Sequence, residues 1–176
     1  IETYNCGNAT ENVIGSMENV VINAVGTAMK ISAPCGTATD CSFNGGDTGI
    51  ELWIKGTYSA SLDLVECEVS GGKKSVYIHD EFNSNPVVNT GDLKLTADNA
   101  TTFESESGAP IALTIAHTEG EIDYTLIDKL IETTVAKVND VYYTTLQAAI
   151  KVAQTGDVVK VFKGIYPVPS MKAGIT

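Results

Sequence analysis

The chain has 176 residues, 43% hydrophobic and 19% charged, which supplies one substantial core and too little charge for disorder. Its 22 acidic residues face 11 basic ones, all of them lysine, so it repels polyanions, has no guanidinium for bidentate phosphate recognition, and excludes nucleic acid as a partner. Its longest apolar stretches, such as residues 111–116, fall far short of the roughly 20 residues a membrane span needs.

No signal peptide is present, and Ile1 opens inside a patterned segment, as expected of a mature or excised fragment. From Val20 an internal repeat begins. VVINAVGTAMKI lies over CSFNGGDTGIEL from Cys41, CEVSGGKKSVYI from Cys67 and, less closely, LKLTADNATTFES from Leu93, in steps of 21, 26 and 26 residues. Each copy opens on an in-out-in strand (Val20 and Ile22, Cys41 and Phe43, Cys67 and Val69, Leu93 and Leu95) followed by a small polar residue: Asn23, Asn44, Ser70 or Thr96. A small-residue corner leads to a second strand, with Met29 and Ile31, Ile50 and Leu52, or Val76 and Ile78 inward. Period-2 alternation with turn signals and no helical spacing predicts stacked parallel strands rather than a hairpin sandwich. Equivalent residues of stacked strands stand about 4.8 Å apart, so Asn23 over Asn44 is a candidate amide ladder, the alternative being ordinary turn-forming asparagines.

Over residues 12–117 this pattern resembles the pectin-lyase-like right-handed parallel β-helix superfamily, of the type found in bacterial and archaeal surface proteins. The resemblance implies an all-β solenoid with β-helix coils over residues 1–117. After His117 the periodicity stops, and residues 118–134 are read as an irregular coil or excursion.

Residues 135–176 carry a different signal. A hairpin is predicted around Asn139-Asp140, a helix from Thr145 to Ala153 capped by Thr144 or Thr145, and a strand from Val158 to Phe162. The helix has an apolar face of Leu146, Ala149, Ile150 and Val152 or Ala153, and Gly156-Asp157 ends it. The run YTTLQAAIKVAQTGDVVKVFKGIY resembles the opening segment of such β-helices, where a capping helix precedes the first strand. Here it follows the coils, so the order is permuted. Reading SMKAGIT into IETYN restores a first coil, which makes Ile1, Tyr4, Ile165, Tyr166, Met171 and Ile175 the expected assembly ends. Uncapped β-helix ends recruit further coils, predicting a tandem array or a head-to-tail homo-oligomer; the alternative is a cut through a larger surface protein.

The resemblance makes a polysaccharide lyase or depolymerase the enzymatic rival. Lyases of this fold use an arginine base, and the chain has no arginine; the Gly-His-Gly and Arg-x-Lys strings of its glycosidases are also missing, so no catalytic residue is assigned. Asp63, Glu66 and Glu68 with His79 and Asp80 are read as a solvated acidic face. Asp40 and Asp47 beside Gly45-Gly46 are the weak candidates for Ca²⁺, without the GGxGxD spacing of calcium-binding rolls. Cys6, Cys35, Cys41 and Cys67 lack zinc-site spacing. Cys41 over Cys67, Cys35 with Cys41 across GTATD, and Cys6 paired locally or across a subunit junction are candidate disulfides, and buried thiols are the alternative. Trp53, Tyr58 and Tyr77 are candidate glycan contacts, and Asn8 and Asn99 open two glycosylation sequons. These features predict a non-catalytic extracellular structural protein, such as a filament, sheath, surface layer or adhesin stalk, with a carbohydrate-binding adhesin as the second reading.

Overall fold

The computed structural model describes residues 1–4, 14–54, 59–80, 92–114 and 125–175. Cys6, Asn8, Tyr58, His117 and Thr176 lie outside the described residues, and of Tyr4 and Asp80 only the backbone is described.

After β1 (Glu2–Tyr4) the chain repeats a unit of three strands. The first unit is β2 (Ile14–Glu18), β3 (Val21–Ala24) and β4 (Thr27–Ser32); the second is β5 (Pro34–Thr39), β6 (Ser42–Gly45) and β7 (Thr48–Ile54). The third is β8 (Ala60–Val65), β9 (Glu68–Gly71) and β10 (Lys74–Asp80); the fourth is β11 (Leu93–Ala97), β12 (Thr102–Ser105) and β13 (Ile111–Thr114). Every third strand returns to the same sheet. Sheet 1 runs β1-β4-β7-β10-β13, sheet 2 runs β2-β5-β8-β11 and sheet 3 runs β3-β6-β9-β12, all paired in parallel.

The inner face of each sheet is a set of columns. Met29, Ile50, Val76 and Ile111 form one in sheet 1, Leu62 and Leu95 share one in sheet 2, and Ile22, Phe43, Val69 and Phe103 form one in sheet 3. Together they make one apolar cluster. Between sheets 2 and 3 the chain turns on a single left-handed residue in three successive units: Asn19 (φ 54°), Asp40 (φ 51°) and Glu66 (φ 53°). The residue after it begins the repeat unit, at Val20, Cys41 and Cys67.

Two sequence expectations need correction. The fourth copy does not start at Leu93: β11 pairs with β8 in sheet 2, placing Thr96 beside Asp63, and Phe103 is the residue that falls on Val69. The equivalent of Cys67 is therefore Thr101, 34 residues on rather than 26. A longer passage after β10 displaced the register, and LKLTA alternates just as a sheet 3 strand does. Residues 118–134 are not wholly irregular either, because α1 (Thr125–Glu132) lies there and buries Leu130 against the end of the main core.

At the fourth corner Asp98 replaces the simple turn. Its carboxylate accepts from the Thr101 N–H (2.9 Å), the Thr101 hydroxyl (2.7 Å) and the Glu66 N–H (3.2 Å), while Thr101 Oγ1 accepts from the Cys67 N–H (3.1 Å). The Thr101 hydroxyl, helped by these backbone donors, holds the Asp98 carboxyl below the usual range. A depressed folded-state pKa contributes stability that is present above the unfolded value near about 3.9 and is lost as pH falls through the folded value. Asp98→Asn is therefore expected to lower the melting temperature by a few degrees at pH 7, and the gap to the parent should close as the pH falls below the unfolded value and through the lower folded one. A gap that is constant from pH 7 to pH 2 would show that the carboxylate charge is not what secures this corner.

The C-terminal segment builds on the last unit. The hairpin of β14 (Ala136–Val138) and β15 (Val141–Tyr143) turns on Asn139 (φ 48°) and Asp140 (φ 60°), as expected of a tight hairpin. β15 pairs antiparallel with β13, and β14 with β16 (Lys160–Val161), extending sheet 1. α2 (Leu146–Val152) is capped by Thr145, whose Oγ1 accepts from the Ala148 N–H (3.2 Å). Ala149 and Ala153 pack with Ala109, Ala136, Val138 and Tyr143 in a second cluster, which settles the helix face on Ala153 rather than the exposed Val152.

Candidate functional site

Three surface features are built by the stacking. The first is the ladder along sheet 3. Asn44 Nδ2 donates to Asn23 Oδ1 (3.1 Å), and Ser70 Oγ donates to Asn44 Oδ1 (2.7 Å). The predicted Asn23–Asn44 pair is thus formed and extends to Ser70. The next residue in the row is Glu104, not Thr96.

The second feature is the outer face of sheet 1, where period-2 alternation turns Trp53 outward beside the buried Leu52. Trp53 lies opposite His79, and Tyr77 stacks on His79 with ring centroids 5.2 Å apart. Lys30 sits over the Trp53 ring (4.4 Å) and Lys74 over the Tyr77 ring (4.6 Å). Glu51 lies 3.7 Å from Lys30 and 4.0 Å from His79. Trp53 and Tyr77 therefore share one face, joined by His79, Lys30 and Glu51, which sequence reasoning did not group with them. The cross-strand register that joins them becomes visible only once the 26-residue step between β7 and β10 is applied to Trp53 itself.

The third feature is the pair of ends. At one end β1, β2 and β3 are all edge strands among the described residues, and Ile14, Met17, Val20 and Ile22 are half-buried where their partners one unit on are buried. At the other, α1 and the hairpin cover the last unit, and the following segment exposes Ile165 (101%), Val168 (97%) and Met171 (74%). Of the six expected assembly residues, Ile1, Ile165 and Met171 are exposed. Two fold back instead: the Tyr166 hydroxyl donates to the Phe162 carbonyl (3.0 Å), and Ile175 packs on the second cluster.

Other candidates disperse. Asp40 and Asp47 sit at opposite ends of β6, and Asp47 is bound to Lys73 (2.7 Å), whose hydrogen bond holds its carboxyl below the usual range. Asp63, Glu68 and His79 lie on three different sheets, and no cluster of three metal-ligating residues occurs among the described residues. Cys41 and Cys67 are neighbouring buried thiols; Cys41 donates to the Thr39 carbonyl (3.2 Å) and Cys67 to those of Ala38 and Val65 (3.3 Å each). Burial pushes the Cys67 thiol up, away from the reactive thiolate. GTATD is not a loop that Cys35 and Cys41 can close: it is β5, whose extended backbone holds them apart by roughly twice the reach of a disulfide. Asn99 is exposed, but Thr101 of its sequon is buried and committed to the Asp98 corner. Compared with protein-family models, curated proteins and solved structures, the chain returns no match.

Proposed function

We propose that the chain is a right-handed parallel β-helix, of the pectin-lyase-like kind, that serves as a non-catalytic structural protein of an extracellular surface and extends by end-to-end stacking. The handedness follows from the near-universal right-handed crossover between parallel strands of one sheet. The observation that carries the reading is the asymmetry of the two ends: an open end of three edge strands with half-buried apolar side chains, and a capped end that continues into an exposed apolar segment. Direct stacking of coil on coil is blocked at the capped end by α1 and the hairpin. The exposed segment around Ile165, Val168 and Met171 is therefore the surface that meets the open end of the next unit, whether that unit is a separate subunit or lies further along one polypeptide.

Sedimentation and negative-stain imaging test this. The protein is expected to form concentration-dependent linear species that Ile165→Asp with Met171→Asp reduces to monomers. A monodisperse monomer at every concentration, both for the isolated chain and in its native context, would overturn the reading.

The outer face of sheet 1 favours a second reading, a carbohydrate-binding module. Trp53, Tyr77 and His79 gather three rings beside the charged Lys30 and Glu51, the aromatic and polar groups from which a sugar site is made once the lysines over the rings swing aside. Loss of glycan binding on Trp53→Ala, with assembly intact, would favour this reading.

A further inference from the structure

Sheet 1 is built differently from the other two. Among the described residues sheets 2 and 3 end on β11 and β12, whereas sheet 1 continues past β13 through β15, β14 and β16 and so has eight strands. Its outermost strands, β1 at the open end and β16 at the capped end, have no partner on their outer sides among the described residues. Both residues of β16 are exposed, as are Val158 before it and Lys163 after it. Unpartnered edges of this kind are templates for a further strand.

The backbone groups on the two edges are free to meet. The Ile1 carbonyl accepts from the Lys30 N–H (2.8 Å), so β1 turns Ile1 and Thr3 towards β4 and the N–H and C=O of Glu2 outward. The Phe162 N–H donates to the Val135 carbonyl (2.9 Å), which by the same alternation turns the N–H and C=O of Val161 away from β14. Strand direction agrees. β15 reverses the course of β13, β14 restores it and β16 reverses it again, so β16 runs against β1. A second copy placed next along the stack therefore brings β1 to β16 in antiparallel pairing, the slightly more stable arrangement.

Charge selects a second copy as the partner and fixes its polarity. Residues 135–176 hold five lysines against two aspartates, whereas residues 1–134 hold six lysines against twenty aspartates and glutamates. Lys160 and Lys163 are exposed on and beside β16, and Glu2 and Glu18 are exposed on β1 and β2. Two open ends would oppose carboxylates and two capped ends would oppose lysines; only open against capped joins unlike charges. We propose that β16 of one unit pairs antiparallel with β1 of the next, carrying sheet 1 unbroken through the junction while sheets 2 and 3 are interrupted there. This pairing presupposes end-to-end assembly and gives it a geometry: eight strands about 4.8 Å apart make an axial rise of about 38 Å per unit.

Hydrogen exchange of the isotope-labelled chain, dispersed and assembled, tests it without any substitution. On assembly the Glu2 and Val161 amides are expected to exchange at least about tenfold more slowly, while those of Thr3 and Phe162, bonded already, change less. Averaged filament images should give the rise of about 38 Å. Val161→Pro deletes the outward N–H and no bond to β14, so the variant should keep the parent's circular dichroism spectrum yet need about tenfold more protein to assemble. Filaments in which the Glu2 and Val161 amides gain no protection, in which a folded Val161→Pro chain assembles like the parent, or whose rise departs from about 38 Å by more than one strand spacing would overturn the pairing and leave end-to-end assembly standing. A parent that stays monomeric at every concentration would remove both.

Discussion

Gly45→Ala is expected to destabilise the protein by about 3 kcal/mol, the upper range for forcing extra atoms into a packed site. A Cβ at Gly45 would stand 2.7 Å from the Gly26 carbonyl oxygen and closer still to the Thr48 carbonyl. Both are backbone groups held by their own rungs, so neither can swing aside as a side-chain tip would. Against a total stability of roughly 5–15 kcal/mol, that loss is visible as a large shift of the urea midpoint. Gly26→Ala is the comparison. It lies at the same corner one unit earlier, two residues past Ala24, the residue in register with Gly45; there a Cβ meets nothing within 4 Å and the backbone does not need a positive φ. There the smaller entropy of the unfolded alanine chain should leave stability unchanged or raised by about 0.4–1 kcal/mol. Equal effects at the two positions would mean that the corner glycines answer to local turn preference rather than to the close approach of stacked turns.

That contrast bears on what was legible in the sequence. The in-out-in strands from Val20, Cys41 and Cys67 were readable because apolar residues at alternate positions recur at a nearly constant step, and the structure puts those residues in register in the core. Asn23 and Asn44 were readable as a ladder for the same reason. The strands of sheet 2 were not. PCGTAT, which forms β5, combines a proline, a glycine and two threonines and reads as a turn, yet parallel pairing to β2 and β8 makes it a strand. Tertiary pairing overrides composition there, and a bulge between Pro34 and Thr37 absorbs the misfit.

The capped end was half legible. Asn139-Asp140 and Thr145 announced the hairpin and helix through local chemistry alone. α1 is barely legible although apolar residues recur at 126, 127, 130 and 131, a helical spacing, because one short amphipathic helix carries little signal beside a long β pattern. The Tyr77–His79–Trp53 face is only partly legible because His79 stands beside Asp80 in the sequence, whereas in the fold it belongs to the rings on either side of it. Cross-strand neighbours depend on register, and register is set by loop lengths that composition does not reveal.

Register also makes the stacking proposal testable by stability alone. Phe43 is fully buried in the sheet 3 column, between Ile22 on one side and Val69 on the other. Phe43→Ala is expected to cost about 3–5 kcal/mol, because an interior rung has neighbours above and below that cannot collapse into the space left. Ile22 points the same way but occupies the last rung, on the edge strand β3, and is only half-buried. In dispersed protein Ile22→Ala should cost about 1 kcal/mol, because water already reaches one side of the residue. If the exposed segment of another unit docks on that end, Ile22 is covered on its second side and the same substitution should cost about 2–5 kcal/mol. Denaturant midpoints of parent and variant, measured for dispersed and for assembled material, give the comparison directly. A cost for Ile22→Ala that rises on assembly, while that of Phe43→Ala stays constant, locates the contact at the open end; costs that do not change would mean that whatever joins the units leaves this end exposed.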